Sequence, residues 1–301
     1  MNNWLPYNTQ IVLLGVSLLG ACAGVIGCFA VLRQRSLVGD ALSHATLPGV
    51  GLAFLIAGGK NFPAMLIGAF LSGLLGIGVL AVLKRFTRIK EDAGIAIVLS
   101  TFFGAGVVLA TVIQQSHTGG QAGWNAFIFG KSAGMIWDDV QLIVMLVLAT
   151  LVIVALCYKE FQLVTFDPGF AHVQGWPARL LDFGLMLLLL VAVVIGLPAV
   201  GVLLMAAMLI IPAAAARFWT QRLGWMLLIA AGIGSIAGIC GTFLSDNVAL
   251  PLGPCIILAA TSLFAISFLF APRRGLIARL YARQRDRLAL LAQLQSGAGP
   301  D

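Results

Sequence analysis

The sequence predicts an all-α, polytopic transmembrane helical bundle. Of its 301 residues, 60% are hydrophobic and only 10% are charged, whereas a typical soluble domain has about 25% charged residues. The mean hydropathy is +1.04, and apolar runs of about 20 residues, the length that crosses a bilayer, recur along the chain. Because a water-facing exterior must be polar, this composition disfavours a soluble fold.

About nine apolar runs have the length of a membrane span. They cover residues 9–32, 36–58, 62–83, 93–114, 138–158, 180–197, 199–216, 224–243 and 254–271. Two places leave the count open between roughly eight and ten spans. Pro198 and Pro212 interrupt the run 180–216, and a stretch rich in proline and glycine at 244–255 permits a re-entrant turn.

The basic residues predict the orientation of the bundle. With the N-terminus outside, all but Lys60 and Lys131 of the 18 lysines and arginines fall on the cytoplasmic side. Cytoplasmic loops carry such an excess, so the pattern predicts an N-out/C-in topology with an odd number of spans. The net charge of +7 is spread over membrane-flanking loops instead of forming one patch, which excludes a nucleic-acid-binding surface.

Two regions of the chain are predicted to differ in kind. Residues 1–271 form one transmembrane domain. In the tail, residues 272–301, apolar side chains recur with a near-helical period and arginines fill the spaces between them. This pattern is typical of an amphipathic helix that lies on the cytoplasmic membrane surface or against a partner.

An acid and a histidine stand one helical turn apart just inside the second span. Ionisable residues are costly within a span, so Asp40 and His44 are functional candidates. A spacing of four places both on one helix face, about 5–6 Å apart at Cβ. A carboxylate with an imidazole is a minimal two-ligand unit for zinc, manganese or iron. A structural Asp–His hydrogen bond between helices remains the alternative.

One chain offers too few ligands at this pair to hold an ion. A second copy that faces the first across a two-fold axis would complete the set with its own Asp and His. His117, in a glycine-rich outer loop, and Asp246, in another predicted outer loop, are weaker candidates for a metal path or gate. For His117, plain solvation is the alternative.

The sequence disfavours an enzyme. An intramembrane metalloprotease would need an H-E-x-x-H motif and a second acid within a span, and the sequence has neither. The segment at Lys131 resembles the end of a phosphate-binding loop, but that pattern requires a glycine where this chain has Asn125. Nucleotide binding by this chain is therefore rejected.

The long connection 159–179, predicted to be cytoplasmic, contains a short helix. Asp167 is placed to cap it, Pro168 suits its first position, and Gly175 ends it. A capped helix between two spans suits a docking element, although an ordinary surface helix has the same pattern.

Together these residues resemble the membrane permease subunits of bacterial ABC importers for zinc, manganese and iron. The most specific segment is Arg35–Gly49, which contains both Asp40 and His44. Supporting segments are 90–104, 166–175 and 201–213, and the resemblance runs over nearly the whole chain.

The resemblance implies a transport subunit of the bacterial inner membrane that moves a divalent transition metal into the cytoplasm. Asp40 and His44 match residues that line the family's translocation path. Five residues match the loop that docks on the ATPase: Phe166, Asp167, Pro168, Ala171 and Gly175. The departures are the arginine-rich tail and the segment around Asp246.

The resemblance also implies the partners. ATP hydrolysis takes place on a separate cytoplasmic ATPase dimer, and an extracytoplasmic metal-binding protein delivers the ion. A second permease, either the same chain or a paralogue, completes the path, and no cofactor is bound permanently. The transported ion is manganese, zinc or iron. The alternative is a stand-alone, proton-coupled metal carrier in which Asp40 titrates.

Overall fold

Every regular element that the structure describes is a helix. The computed structural model describes residues 7–59, 61–115, 137–248, 250–272 and 275–278. In chain order the helices are α1 (Tyr7–Leu32), α2 (Ser36–Ala45), α3 (Leu47–Ala57), α4 (Phe62–Phe86), α5 (Glu91–Gln115), α6 (Trp137–Leu156), α7 (Tyr158–Phe166), α8 (Pro168–Val173), α9 (Ala178–Val200), α10 (Val202–Trp219), α11 (Leu223–Val248) and α12 (Leu252–Phe270).

Eight of these units are long and apolar enough to cross a membrane, with α2 and α3 counted as one unit over Ser36–Ala57. A further apolar stretch, Leu204–Trp219 in α10, is shorter. The all-α bundle and the predicted range of spans are confirmed. The predicted amphipathic tail lies almost wholly outside the described residues, and the N-out/C-in orientation stays a prediction.

The structure settles both uncertain span boundaries. Neither proline ends a helix in the run 180–216, because Pro198 lies inside α9 and Pro212 inside α10. The break is at Gly201, whose φ of 91° is a conformation that glycine adopts readily. In the stretch 244–255, α11 continues to Val248 and α12 begins at Leu252, so the described residues there form two helix ends instead of a re-entrant element.

Small residues let α1 approach other helices at the backbone. A Cβ added to Gly20 would lie 2.3 Å from the carbonyl oxygen of Gly234 in α11, and one added to Gly24 would lie 2.5 Å from that of Ala230. Within a bilayer, such close contact replaces the hydrophobic effect as the force that holds helices together. The paired small residues in the sequence therefore mark the α1–α11 contact.

Burial is uneven across the bundle. In α1 and α9, 72% of the residues in the apolar 18-residue stretch are buried, whereas in α5 only 17% are buried. The side chains that α5 leaves exposed include Ile97, Phe103 and Val108. α5 thus forms an open apolar face of the single chain, and it packs directly against α2 and α3.

Candidate metal site and docking element

The second span is interrupted at Thr46, between α2 and α3 and two residues after His44. Pro48 has no N–H to donate to the His44 carbonyl, so the helix cannot continue unchanged through this point. Thr46 joins the two helices, and its hydroxyl donates to the Ser43 carbonyl at 2.6 Å. The second span is therefore interrupted next to the pair.

Asp40 and His44 lie on one face of α2, as their spacing predicts. His44 Nε2 is 3.5 Å from Asp40 Oδ1, and the two side chains are 11% and 34% exposed. The other ring nitrogen, Nδ1, is buried and has no hydrogen-bond partner among the described residues. A neutral imidazole has one nitrogen lone pair with which to bind a metal, so the pair offers a carboxylate and an imidazole at one place.

An aromatic ring from α5 covers the histidine. The rings of His44 and Phe103 meet edge to face, with their centroids 4.9 Å apart. Phe103 is itself exposed, so the ring that contacts His44 also reaches the open face of α5. A molecule that packs on this face would come close to the candidate site.

A row of small residues on α4 fixes the position of the helix break. The Ser72 hydroxyl donates to the Ala45 carbonyl at 2.6 Å. A Cβ on Gly76 would lie 2.9 Å from the Ala45 side chain, and one on Gly68 would lie 2.4 Å from the Gly49 carbonyl oxygen. The surface that this row packs against is the α2–α3 junction.

A single chain does not complete a metal site in the described residues. No group of three or more His, Cys, Asp or Glu side chains is placed there to hold an ion. Asp246 lies exposed in the last turn of α11, which packs on α1, α10 and α12 and so belongs to another part of the bundle. His117 lies outside the described residues.

The short helix α8 forms as predicted. Asp167 is its N-cap, and Oδ1 of Asp167 accepts a hydrogen bond from the Phe170 N–H at 2.8 Å. Pro168 opens the helix, and Gly175 follows it with a φ of 82°. Ala171 is fully buried beneath the helix.

Apolar side chains on α8 and just before it are exposed at the surface of the chain. Phe166, Phe170 and Val173 are all exposed. The preceding helix α7 is anchored to α1, because the buried Phe161 ring meets the Phe29 ring edge to face at 5.9 Å. An exposed apolar surface next to a helix that is packed firmly on the bundle is suited to protein docking.

A network of charges at the start of α2 escaped the sequence reasoning. Arg35 Nη1 lies 2.7 Å from Asp182 Oδ1 in α9, and Arg35 Nε lies 2.6 Å from Glu91 Oε1 in α5. Arg33 also pairs with Asp182, and Lys84 Nζ lies 3.3 Å from Glu91 Oε2. The network joins the ends of five helices: α1, α2, α4, α5 and α9.

Electrostatics within the network are balanced by neighbouring charges. Burial lowers the pKa of the Arg33 guanidinium, and the Asp182 carboxylate opposes that shift. Beside the network a cavity of about 670 Å³ opens between α4, α5 and α9, with Glu91 and Asp182 in its lining. The one signal in the sequence was the position of these acids at span ends close to basic residues.

Nearly the whole chain matches one known protein family. Residues 7–271 match the ABC 3 transport family. The manganese transport system membrane protein MntC of Bacillus subtilis is 48% identical over 93% of this chain, which spans 65% of the length of that protein. The zinc transport system membrane protein TroC of Treponema pallidum is 44% identical over 95% of this chain and 96% of its own length.

A solved structure has the same fold. PsaBC from Streptococcus pneumoniae, determined in complex with a Fab, superposes with a TM-score of 0.80 at 32% identity. The match covers 90% of this chain and 94% of the other.

Proposed function

This chain belongs to the ABC 3 transport family and is a membrane subunit of a metal transport system, and on that premise we propose that it imports a divalent transition metal through a path at Asp40 and His44. The ion is manganese, zinc or iron, and it moves across the bacterial inner membrane into the cytoplasm. The single observation that carries the proposal is the pair itself, with Asp40 Oδ1 and His44 Nε2 3.5 Å apart in an otherwise apolar span.

The ligands at the pair suit the proposed cargo. Carboxylate oxygen and imidazole nitrogen bind manganese, iron and zinc alike, so selectivity depends on geometry. Two ligands per chain leave an ion with open positions. Incomplete coordination suits a translocation path, because an ion that is bound by a full set of protein ligands would dissociate slowly.

A second permease copy supplies the remaining ligands in this proposal. The open face of α5 is the surface on which we place it, since Phe103 is exposed on that face and contacts His44. A two-fold axis beside α5 would bring two Asp40 and two His44 side chains together. Four such ligands satisfy a tetrahedral ion, and the two carboxylates neutralise its charge.

The energy source is a separate ATPase dimer that docks on α8. The support is the exposed apolar surface formed by Phe166, Phe170 and Val173 on a helix that is capped by Asp167. ATP binding and hydrolysis on that partner would close and open the permease dimer around the pair. An extracytoplasmic metal-binding protein delivers the ion to the opposite side, where Asp246 and His117 are secondary candidates for contact.

The test is ATP-driven metal uptake by this chain and its ATPase in sealed vesicles, with manganese, zinc and iron offered in competition. Asp40→Asn removes the charge at nearly constant volume, and His44→Gln removes the imidazole. Both variants are expected to assemble with the ATPase and to reduce uptake to the level of vesicles without ATP. Asp138→Asn is the matched control, since Asp138 is an exposed acid in the first turn of α6.

Native uptake rates in both Asp40→Asn and His44→Gln would contradict the proposed site. Metal uptake that needs a proton gradient and proceeds without ATP would instead support the stand-alone carrier.

A further inference from the structure

The acid Asp182 lies early in α9, nine residues after the end of the docking helix α8. The Trp176 N–H donates to the Ala171 carbonyl of α8 at 3.0 Å, and the Leu181 N–H donates to the Pro177 carbonyl at 3.1 Å. These bonds form a continuous hydrogen-bonded connection from α8 through Trp176 and Pro177 to the first turn of α9. A displacement of α8 is therefore carried to Asp182.

The basic residue Arg35 holds the start of the helix that carries the metal pair. Its backbone N–H donates to the Ala30 carbonyl of α1 at 2.9 Å, and its carbonyl accepts from the Val38 N–H at 3.0 Å. Asp40 follows five residues later, about 7 Å along the helix axis. A shift of the Arg35 side chain thus acts on a short, rigid helix that ends at the metal pair.

The Arg35 and Asp182 side chains are mostly shielded from water, at 14% and 23% exposed. Separating a shielded pair without new partners is costly because each charge loses its compensation. Here each charge has a second partner, since Arg35 also binds Glu91 and Asp182 also binds Arg33. Glu91 keeps a partner in Lys84, so the start of α2 can follow Asp182 and α9 away from α5 while no charge is left bare. The adjoining cavity of about 670 Å³ gives the end of α9 room to move.

We propose that Arg35 and Asp182 are positioning residues that link the ATPase docking helix to the metal pair. The inference rests on the proposed function, because it needs an ATPase on α8 and a metal at Asp40 and His44. The ion pair transmits the displacement of α8 and α9 to α2, so that metal movement stays in step with ATP hydrolysis.

The experiment measures two rates on the same vesicles, which contain the full complex of this chain with its ATPase. These are ATP hydrolysed and manganese imported, each normalised to assembled complex. In Asp182→Asn the manganese imported per ATP is expected to fall about fivefold or more, while hydrolysis continues. A merely structural defect would lower both rates together and leave their ratio unchanged.

Three further variants sharpen the result. Asp182→Glu keeps the charge and is expected to restore the ratio. Asp92→Asn removes an exposed acid at the start of α5 and is expected to keep the native ratio. Arg35→Gln is expected to lower the ratio, and the double variant with Asp182→Asn should fall no further, because both changes remove one link.

A native ratio in both Asp182→Asn and Arg35→Gln would overturn the inference. If neither assembles while Asp182→Glu does, the pair has a structural role only, which overturns it as well. A native complex that imports no metal with ATP would instead refute the proposed function, so the two failures are distinguishable.

Discussion

The two ends of α2 are held in different ways. At the end with His44, Ser72 and Gly76 of α4 meet Ala45 directly, and Gly68 meets the start of the adjoining helix α3. At the other end, the long side chain of Arg35 reaches acids on α5 and α9. One end is positioned by close packing and the other by charges that have more than one partner.

This difference has mechanical consequences. Dispersion contacts lose a quarter to a half of their energy across a gap of about 0.5–1 Å, so the close-packed end keeps one position. Coulomb attraction declines only as the inverse of distance, and the charged end can shift while its pairs persist. His44 therefore lies at the end of α2 that is fixed, and the proposed signal from α8 enters at the end that can move.

The largest effect is expected from breaking the close-packed end with Gly68→Ala. The new Cβ would lie 2.4 Å from the Gly49 carbonyl oxygen and 2.7 Å from the Ala53 side chain. Because neither neighbour can move without displacing α3, we expect a loss of about 1–3 kcal/mol of stability and strongly reduced metal uptake. Thermal unfolding of the purified protein and uptake by the reconstituted complex measure the two effects.

Gly78→Ala on the same helix is the matched control. A Cβ there meets nothing within 4 Å, so replacing glycine by alanine in a helix should be neutral or stabilise the protein by up to about 1 kcal/mol. Equal melting temperatures for the two variants would show that the junction is not fixed by packing.

The features of this structure that the sequence predicts are those set by residues close together along the chain. Hydropathy identifies the spans, and the spacing of Asp40 and His44 predicts their shared face, because both follow from local helical geometry. The order of Asp167, Pro168 and Gly175 likewise predicts α8. The sequence places this break at Pro198, whereas the structure has it at Gly201. Pro198 can stay inside α9 because a proline within a membrane helix is tolerated when neighbouring groups satisfy the freed carbonyl.

The long-range parts of the site could not be predicted. Arg35 is 56 residues from Glu91 and 147 residues from Asp182 along the chain, and no periodic pattern relates such positions. Ser72 stands in a row of small residues at four-residue spacing, but its acceptor at Ala45 depends on how α4 packs against α2. Both features require the tertiary arrangement.

A smaller effect is expected from Ser72→Ala, which keeps the close packing and removes one hydrogen bond. The buried Ala45 carbonyl would lose its hydroxyl donor, and hydrogen bonds between membrane helices contribute about 0.6 kcal/mol on average and up to about 1.7. The metal concentration for half-maximal uptake should rise about threefold, and by no more than about 18-fold. Uptake measured over a range of manganese concentrations tests this.

Ser262→Ala controls for the loss of a hydroxyl. The Ser262 side chain donates to Leu258 within its own helix at 2.8 Å and is exposed, so uptake should be unchanged. A native half-saturating concentration in Ser72→Ala would mean that the glycines alone fix the junction.

The smallest effect is expected from Lys84→Gln at the charged end. The Lys84 side chain is 52% exposed and its Nζ lies 3.3 Å from Glu91 Oε2, and exposed pairs contribute only about 0–1 kcal/mol. Glu91 keeps its contacts to Arg35, so manganese imported per ATP should change less than about twofold. A fall as large as that expected for Arg35→Gln would place the link at α4 instead of α9. Higher ionic strength would then also lower the manganese imported per ATP, since salt screens exposed ion pairs more than shielded ones.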